Sequence, residues 1–365
     1  MKCFFSFAFI LFSFMAKAIT FEDAVFPELA TSARALAMGN AFISKVDDAS
    51  AVFYNPAGLG TVRYPHMHLS NFQLEINKGF LSSSTSGTMS EAVGNFSKAF
   101  SLEGTRQLLL QSPGTYSHSS FHALPNFTSR YFSFGYLLSQ KTRATVTDTT
   151  SATGFEFADR LDHGPYAALN ISLFGGIIKA GASVIVLQRK ELITSVDPNT
   201  ALALETDDYQ KGRMVNMTGG GKITLPFTFL PTLSMTIHNA LDNEFYAGSG
   251  LGTPAKITKT YDVGFSLTPQ IGTSSRIHLE VNYKDMGGAY KTVSTARKIL
   301  VGAELDFSRV FFFRLGYGDG FGSAGLGIKS RKLEFDLTTY AVDTTTSSFR
   351  GQEDRRFALS ISSGF

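Results

Sequence analysis

Apolar and polar side chains alternate along residues 356–365. A period of two places successive side chains on opposite faces of a β-strand. The same alternation recurs at residues 277–284, where the odd positions are apolar and the even positions are polar. Both segments predict strands that meet an apolar environment on one face and a polar one on the other. In the first segment the odd positions are Phe357, Leu359, Ile361, Ser363 and Phe365.

Further segments of this kind lie along the chain, and most are long enough to cross a bilayer, which takes about 9 to 11 tilted residues. Connections after even-numbered strands are short, and most connections after odd-numbered strands are long. A transmembrane barrel requires this segregation, with tight turns at the periplasmic rim and long loops at the extracellular rim. We therefore predict an all-β fold, a 14-stranded antiparallel transmembrane β-barrel, with strands at residues 64–76, 114–124, 130–144, 163–174, 177–191, 212–226, 231–241, 257–269, 275–285, 295–307, 309–318, 322–330, 332–343 and 355–365.

Composition agrees with this fold and excludes others. Of the 365 residues, 43% are hydrophobic, only 17% are charged, and Gly and Phe each occur 34 times. High aromatic content excludes a disordered chain. The absence of a run of about 18 apolar residues after residue 18 excludes a bundle of membrane-spanning helices. A closed barrel satisfies its backbone hydrogen bonds within the bilayer. Lipid surrounds its outer face, so the many aromatic residues of this chain do not need a protein core to bury them.

The N-terminal residues 1–18 predict a signal peptide. Lys2 precedes an apolar run, and residues 16–18 form a small-x-small cleavage site; an uncleaved anchor helix is the alternative. The only cysteine, Cys3, leaves with this segment, so thiol catalysis and thiolate metal sites leave too. The mature chain then holds 31 Lys and Arg against 30 Asp and Glu. Such a near-neutral charge gives no electrostatic reason to expect nucleic acid as a partner.

The following segment, residues 19–63, is rich in Ala, Gly and Ser and does not alternate. Its Asp47-Asp48 pair is suited to cap a short helix over residues 49–54. That helix must end before Pro56, because proline disfavours helical geometry in the residue before it. The segment is compact enough to fold inside a barrel, and the pattern leaves a periplasmic extension equally open. We divide the chain into residues 1–18, 19–63 and the barrel, 64–365.

Two runs in this segment resemble the N-terminal hatch of the FadL-type outer-membrane transport proteins. They are residues 32–42 (SARALAMGNAF) and residues 47–59 (DDASAVFYNPAGL), the second of which contains an Asn-Pro-Ala triplet. Weaker likeness recurs at residues 314–320 and 323–327. The resemblance implies a fourteen-stranded barrel whose N-terminal hatch plugs the lumen, in agreement with the strand count from alternation.

The resemblance also implies a function in the outer membrane of a Gram-negative bacterium. The best-studied family members carry long-chain fatty acids or aromatic hydrocarbons by passive diffusion, with gating by the hatch and exit sideways through the wall. Other relatives, the PorV-like proteins, hold or shuttle secreted proteins at the cell surface. We therefore expect a transporter with a hydrophobic small-molecule substrate. A non-transporting surface barrel with a secreted-protein partner and an outer-membrane hydrolase are the alternatives.

Two further partners follow from a barrel of this kind. Outer-membrane lipid surrounds its apolar face. The terminal aromatic residue, Phe365, resembles the signal by which the barrel assembly machinery recognises outer-membrane barrels, so we expect that machinery to bind it.

The hatch provides the most specific candidate site. Proline fixes a kink, and an asparagine amide can bond to lumen backbone or side chains, so the Asn-Pro-Ala triplet is a candidate gate. An arginine with neighbouring carboxylates is a candidate tether between the hatch and the wall. Holding the plug in one shape is an equally favoured role for all of them. These residues are Arg34, Asp47, Asp48, Asn55, Pro56 and Ala57.

The first long connection, residues 77–113, contains a second candidate site. Val93, Phe96 and Phe100 lie at helical spacing and predict one apolar helix face. The derived topology places this face outside the cell, where no protein core is obliged to bury it. We expect it to dock a lipophilic substrate; packing into the barrel mouth and contact with a partner protein are the alternatives.

Two weaker candidates lie in the barrel itself. Strand parity turns Glu280, Arg314 and Arg356 into the lumen, where a network of charges would fill the interior and hold the hatch. Gly135 interrupts the third predicted strand, where family members kink to open the wall sideways, and glycine often marks such a bulge.

Catalysis and cofactors find little support in the sequence. No Ser has Gly at both second-neighbour positions, so the G-x-S-x-G elbow of many hydrolases is absent. The glycines of residues 320–325 fit a dinucleotide fingerprint, but a predicted strand follows where a helix is required. We expect the seven His residues to be structural or exposed rather than metal ligands. We predict a protein that is not an enzyme and that holds no metal or cofactor.

Overall fold

The computed structural model describes residues 25–85, 89–272, 274–330, 332–345 and 349–364, with the backbone alone at residues 89–93. The predicted signal peptide and Phe365 lie outside these residues. Within them, the chain forms a closed antiparallel barrel of fourteen strands, as predicted. None of the helices in the described ranges is both long enough and apolar enough to cross a membrane.

The elements follow one another in the order of the chain. Two strands run in two pieces, and a short strand, Tyr246–Gly250, pairs with the barrel strand Gln210–Thr224. The helices are α1 (Ala33–Ala37), α2 (Ala51–Tyr54), α3 (Lys78–Ser84), α4 (Met89–Lys98) and α5 (Leu102–Leu110). The strands are β1 (His66–Asn77), β2 (Tyr116–Ala123 and Asn126–Thr128), β3 (Phe132–Val146), β4 (Phe155–Leu173), β5 (Ile178–Val196), β6 (Gln210–Thr224), β7 (Thr232–His238), β8 (Thr260–Leu267 and Gln270–Ile271), β9 (Ser275–Tyr283), β10 (Ile299–Phe307), β11 (Phe311–Gly318), β12 (Phe321–Lys329), β13 (Leu333–Asp343) and β14 (Glu353–Gly364).

The barrel closes at β1, which pairs with the last strand as well as with the second. Ile76 in β1 lies opposite Phe357 in β14 on one side and opposite Ser119 in β2 on the other. Each strand therefore has a hydrogen-bonded neighbour on both sides, which is the condition for crossing hydrocarbon with strands.

The hairpin of β4 and β5 is longer than the sequence predicted. β4 begins at Phe155 rather than at residue 163, and β5 continues beyond residue 191. At this end Phe155 and Phe157 are fully buried, because they pack with loop residues such as Leu109. Alternation did not reveal the extension, since these side chains meet loop residues and not lipid.

The strands turn apolar side chains outward and polar side chains inward, as predicted for a membrane barrel. In β9, Leu279 and Val281 are 45% and 48% exposed, whereas Glu280 and Asn282 are 1% and 0% exposed. A sheet of a soluble protein would bury its apolar face instead. The outer face of the barrel therefore suits lipid, and the inner face suits polar contents.

Short and long connections lie at opposite rims of the barrel. At the short-turn rim, the turn Phe174–Gly176 joins β4 to β5; at the long-loop rim, α3, α4 and α5 join β1 to β2. The connection after β11 is an exception, since only Asp319 and Gly320 separate it from β12. In outer-membrane barrels the short-turn rim faces the periplasm and the long-loop rim faces the outside.

Residues 25–62, called the plug below, lie inside the barrel. They contain α1, α2 and a 3-10 helix, Pro56–Thr61, and Leu36, Phe42 and Leu59 are fully buried. So short a segment cannot form a hydrophobic core of its own. Its apolar side chains therefore pack against the inner wall of the barrel.

The junction between α2 and the 3-10 helix forms as the sequence predicts. α2 ends at Tyr54, two residues before Pro56, because proline disfavours helical geometry in the residue before it. The Asn55 side chain accepts a hydrogen bond from the Ala57 backbone N–H at 3.1 Å. Pro56 opens the 3-10 helix, where its missing N–H costs no helical hydrogen bond.

Candidate functional site at the plug and the barrel wall

The plug is attached to the inner wall by hydrogen bonds between wall side chains and plug backbone. The bonds come from strands on several sides of the barrel, so the plug is fixed in position around its circumference. Each one satisfies a backbone group that would otherwise be buried without a partner. They include Ser323 Oγ to Ala37 O (2.9 Å), Thr338 Oγ1 to Ala33 O (2.8 Å), Ser183 Oγ to Val52 O (2.6 Å) and Ala33 N to Gln73 Oε1 (2.7 Å).

Two glycines of the wall make room for the turn after α1. Gly302 in β10 and Gly316 in β11 are cross-strand partners. A Cβ atom built on Gly316 would lie 2.1 Å from the Gly39 N atom, and one on Gly302 would lie 2.7 Å from the Met38 O atom. Any side chain at these positions would collide with the plug backbone. We call this pair the first glycine seat.

A second glycine seat receives the Asn-Pro-Ala triplet. Gly181 in β5 and Gly220 in β6 are again cross-strand partners. A Cβ atom on Gly181 would lie 2.4 Å from the carbonyl carbon of Pro56, and one on Gly220 would lie 2.0 Å from Asn55 Oδ1. The third residue of the triplet, Ala57, is fully buried.

The Asn55 carboxamide bonds to both the plug and the wall. Its Nδ2 group donates to the Ile43 carbonyl oxygen at 3.0 Å and to the Gly221 carbonyl oxygen at 3.4 Å. Together with the Ala57 bond described above, these contacts use both ends of the amide. Asn55 therefore links the plug backbone at Ile43 and at Ala57 to β6.

Arg34 lies at the centre of a tether between the plug and β10. Its guanidinium contacts Asp47 (2.6 Å) and Asp48 (3.4 Å) within the plug, and its Nε atom lies 3.0 Å from Glu304 Oε2 in the wall. Burial disfavours the Asp47 anion, but Arg34 and Lys45 outweigh that penalty and hold the pKa of Asp47 well below its usual range. The structure thus brings these three predicted hatch residues together.

The wall side of this tether is itself an ion-pair network. Glu304 is 1% exposed and receives Arg314 Nε at 2.7 Å and Lys45 Nζ at 3.3 Å. Arg314 also contacts Asp336 at 2.5 Å. Three cationic partners compensate the cost of burying the Glu304 carboxylate. Removal of one member of the network would leave like charges close together or a buried charge without a partner.

A second ion-pair cluster joins the start of the plug to β8 and β9. The Lys284 ammonium contacts Glu28 of the plug, and it lies 3.2 Å from Asp262, which also contacts His238 at 3.1 Å. The oxygen and nitrogen atoms of Glu28, Asp262 and His238 lie close enough together to hold a metal ion. However, Lys284 already supplies the positive charge between the two carboxylates, so the cluster is electrostatically complete without a metal.

The three lumen residues predicted from strand parity do not form one site. Arg314 belongs to the Arg34 tether. Glu280 accepts the Ser44 backbone N–H at 2.7 Å and contacts His278 at 2.9 Å. Arg356 lies elsewhere, in β14, where it contacts Asp354 at 2.8 Å. All three are buried and engaged with partners.

The interruption that the sequence predicts at Gly135 is absent. β3 runs unbroken through this residue, which pairs with Asn126 on one side and Tyr166 on the other. A Cβ atom on Gly135 would lie 2.3 Å from the Pro125 carbonyl oxygen and 2.7 Å from the Tyr166 hydroxyl, so glycine makes room for these neighbours. The irregularity lies in β2, which is divided at Leu124 and Pro125. A role of Gly135 in a lateral opening stays a prediction.

The predicted apolar helix face at the long-loop rim is part of an aromatic cluster. Phe80 in α3, Phe96 in α4 and Phe100 pack with ring centroids 5.2 to 5.8 Å apart. Phe80 is fully buried, whereas Phe100 is 46% exposed. The side chain of Val93 lies outside the described part of the structure.

Two cavities between the plug and the wall are small. The cavities between the plug and the wall include one of about 40 Å³, beside Val52 and Phe53, and one of about 50 Å³, beside Arg34 and Asp48. A cavity that holds benzene is about 150 Å³. An aromatic molecule therefore has no room in either cavity while the plug is in this position.

Comparisons with known proteins show which solved structures have a similar fold. No protein-family model matches the sequence, and no curated protein matches it. Among solved structures, the toluene transporter TbuX of Ralstonia pickettii is similar at 11% identity and a TM-score of 0.52, covering 93% of this chain and 100% of that one. The toluene transporter TodX of Pseudomonas putida is similar at 10% identity and a TM-score of 0.50, with 92% and 98% covered.

A third structure, the CymD monoaromatic hydrocarbon channel, is similar at 9% identity and a TM-score of 0.51, covering 92% of this chain and 97% of that one. At such low identities the likeness concerns the fold. With its lipid-facing apolar band and its internal plug, the barrel is an outer-membrane protein. The chain has the FadL-type fold that the resemblance of its hatch predicted.

Proposed function

We propose that this protein is a passive outer-membrane channel for hydrophobic small molecules, such as monoaromatic hydrocarbons or long-chain fatty acids. The proposal rests on one observation above all, an apolar sector on the inner wall of β3 to β6. Its members point into the lumen, where a barrel for water-soluble solutes is polar. They are Leu137, Tyr166, Ile185, Leu187 and Met214, each 5% exposed or less.

The plug covers this apolar sector with apolar side chains of its own. Phe53 packs edge-on against Tyr166, with ring centroids 5.4 Å apart, and Val52 and Leu59 belong to the same cluster. A movement of the plug away from this side would uncover a lipophilic surface inside the barrel. The fold shared with toluene transporters and a hydrocarbon channel supports the same function.

In this proposal the plug is the gate. The second glycine seat, which holds Asn55 and Pro56, lies on β5 and β6, the strands that also carry part of the apolar sector. Release of Asn55 and Pro56 from the seat therefore frees the plug on the side where a lipophile would pass. The exposed ring of Phe100 at the long-loop rim is the proposed docking point for that lipophile, and the division of β2 at Pro125 is the proposed position of lateral exit.

One observation favours the second candidate, a surface barrel that binds a secreted protein without transport. Above the apolar sector, Arg189 and Asp162 form a buried ion pair at 2.7 Å, and the cavities beside the plug are small. In a lumen closed in this way, the plug or the ion pair must move before a substrate can pass. A scaffold would have no need of such movement.

Uptake measurements separate the two functions. Cells that lack the protein are compared with cells that produce it, and with cells that produce a control barrel without a lipophilic pathway, for uptake of labelled toluene and labelled oleate. A channel increases the initial rate for one or both compounds over both controls. Equal rates in all three strains for a series of lipophiles would contradict the channel and favour the scaffold.

A further inference from the structure

Two lysines face each other on the inner wall near the short-turn rim. Lys179 in β5 and Lys222 in β6 are direct cross-strand partners, and they are 6% and 5% exposed. Side chains at such positions have Cβ atoms about 4.5 to 5.5 Å apart. Like charges placed directly opposite each other destabilise a sheet. The pair is therefore unfavourable as it stands.

No described carboxylate forms an ion pair with either lysine of this pair, and Glu280 and Asp47 act on Lys222 only at longer range. Lys179 donates to the Gly176 carbonyl oxygen at 2.5 Å, and Lys222 forms no hydrogen bond or ion pair with any described residue. Other buried lysines of the lumen differ in this respect: Lys284 lies 3.2 Å from Asp262, and Lys298 lies 2.7 Å from Asp285. The barrel thus pairs its buried lysines elsewhere and leaves these two unpaired.

A hydroxyl group beside the pair is also unsatisfied. Ser234 in β7 is the cross-strand partner of Lys222 and is 2% exposed. Its Oγ atom has no hydrogen-bond partner among the described atoms. Buried polar groups normally have partners, so an unpaired hydroxyl next to an unpaired ammonium indicates a missing acceptor at this place.

We propose that Lys179, Lys222 and Ser234 form a binding site for a small carboxylate anion at the periplasmic end of the lumen. Ammonium and hydroxyl groups are donors, and a carboxylate offers acceptor sites on both oxygens. One carboxylate can therefore accept from both lysines and from the serine, and its charge removes the repulsion between the ammonium groups. Inorganic phosphate presents the same acceptor chemistry, so the test includes it.

The site also borders the plug. A Cβ atom on Gly60 would lie 2.6 Å from Lys179 Cδ, so the end of the 3-10 helix lies directly against this lysine. The start of the same helix, Pro56, occupies the second glycine seat two residues farther along β5. A bound anion that holds Lys179 in place would therefore also support the seated plug.

The test is binding to the purified, folded protein in an uncharged detergent at low ionic strength, measured by calorimetry. The probes are octanoate, benzoate and inorganic phosphate, with octanol as the uncharged analogue. Octanoate or benzoate is expected to bind and octanol is not expected to compete with it. The double variant Lys179→Gln/Lys222→Gln is expected to bind at least about tenfold more weakly, the loss of charge-assisted hydrogen bonds. Competition by phosphate would extend the site to oxyanions in general; its absence would restrict the site to carboxylates.

A matched double variant, Lys211→Gln/Lys256→Gln, removes two lysines that have carboxylate partners outside the site, and its affinity is expected to stay within about twofold of the parent. Lys222→Arg, which keeps the charge, is expected to retain binding and shows that a folded site survives substitution. Absence of anion binding in the parent protein, or equal affinity in Lys179→Gln/Lys222→Gln, would overturn the proposal. Binding is measured without transport, so its outcome is independent of the channel function.

Discussion

The Asn55 carboxamide occupies the position at which a side chain on Gly220 would begin. A Cβ atom built on Gly220 would lie 2.0 Å from Asn55 Oδ1. The residue opposite Gly220 in the sheet is Gly181, on which Pro56 rests. The plug backbone therefore lies on the wall backbone with no side chain between them, and one added methyl group is enough to disturb its position.

Gly220→Ala is expected to displace the plug while the barrel stays closed. The added methyl group collides with Asn55, whereas alanine does not prevent β6 from pairing. Displacement should increase entry of a large hydrophilic antibiotic and so lower the concentration that inhibits growth. Gly219→Ala and Gly221→Ala are matched controls on the same strand, because a Cβ atom at either position meets nothing within 4 Å. If all three variants behave alike, the glycine seat does not position the plug.

Arg34 and Glu304 are expected to be energetically coupled. Their ion pair joins the plug to β10, so each single change, Arg34→Gln or Glu304→Gln, should destabilise the protein, and the double change should cost less than the sum. Residues in one buried network typically couple by about 0.5 to 3 kcal/mol. The coupling is measured by unfolding the four proteins in denaturant. Simple additivity would show that the tether contributes nothing of its own.

The Asp47 tether is expected to be insensitive to pH between 7 and 5. Because Asp47 has a lowered pKa in the folded protein, its anion stabilises the fold above the ordinary pKa of 3.8, and this contribution is lost only as the pH falls through the lowered value. The difference in melting temperature between the parent and Asp47→Asn should therefore be constant from pH 7 to pH 5 and shrink only below about pH 4. A difference that vanishes already at pH 5 would contradict the assignment.

Phe100→Ser is expected to reduce uptake at low substrate concentration. The ring is half exposed at the long-loop rim and packs on Phe80 and Phe96, so its removal takes away a docking surface without opening the barrel. The substrate concentration at half-maximal uptake should rise several-fold, and the maximal rate should stay nearly the same. Phe229→Ser, at an exposed phenylalanine in the connection between β6 and β7, is the control and should change neither. A loss of maximal rate alone would argue against docking at Phe100.

Local sequence patterns predicted the barrel because the alternation of neighbouring residues determines which side chains lie on each face of a strand. Leu279 and Glu280 are neighbours in a strand, so one side chain points to the apolar face and the other to the polar face. The short turns are predicted by the small gaps between alternating segments. The helix before Pro56 was equally local. These features depend on a few adjacent positions, so a single sequence contains them.

The contacts that seat the plug depend on register between distant strands. Gly181 and Gly220 become partners only when β5 and β6 align, and Glu28 meets Lys284 across 256 positions of the chain. The Gly-rich run at residues 219–221 was visible in the sequence, but nothing local shows which of its members faces inward against the plug. The continuous pairing of Gly135 was missed for the same reason.

Reversible attachment of the plug to the wall tests gating most directly. A Cβ atom on Gly220 lies 3.0 Å from Asn55 Cγ, so cysteines at both positions lie within disulfide reach, and the predicted mature chain contains no other cysteine. Uptake of labelled toluene and oleate is measured for Asn55→Cys/Gly220→Cys under oxidising conditions and after reduction, with each single cysteine variant as a control. We expect uptake to be lost in the oxidised double variant and restored by reduction, while the single variants do not respond to the reductant. Equal uptake before and after reduction of a fully formed disulfide would contradict a gate at Asn55 and Pro56.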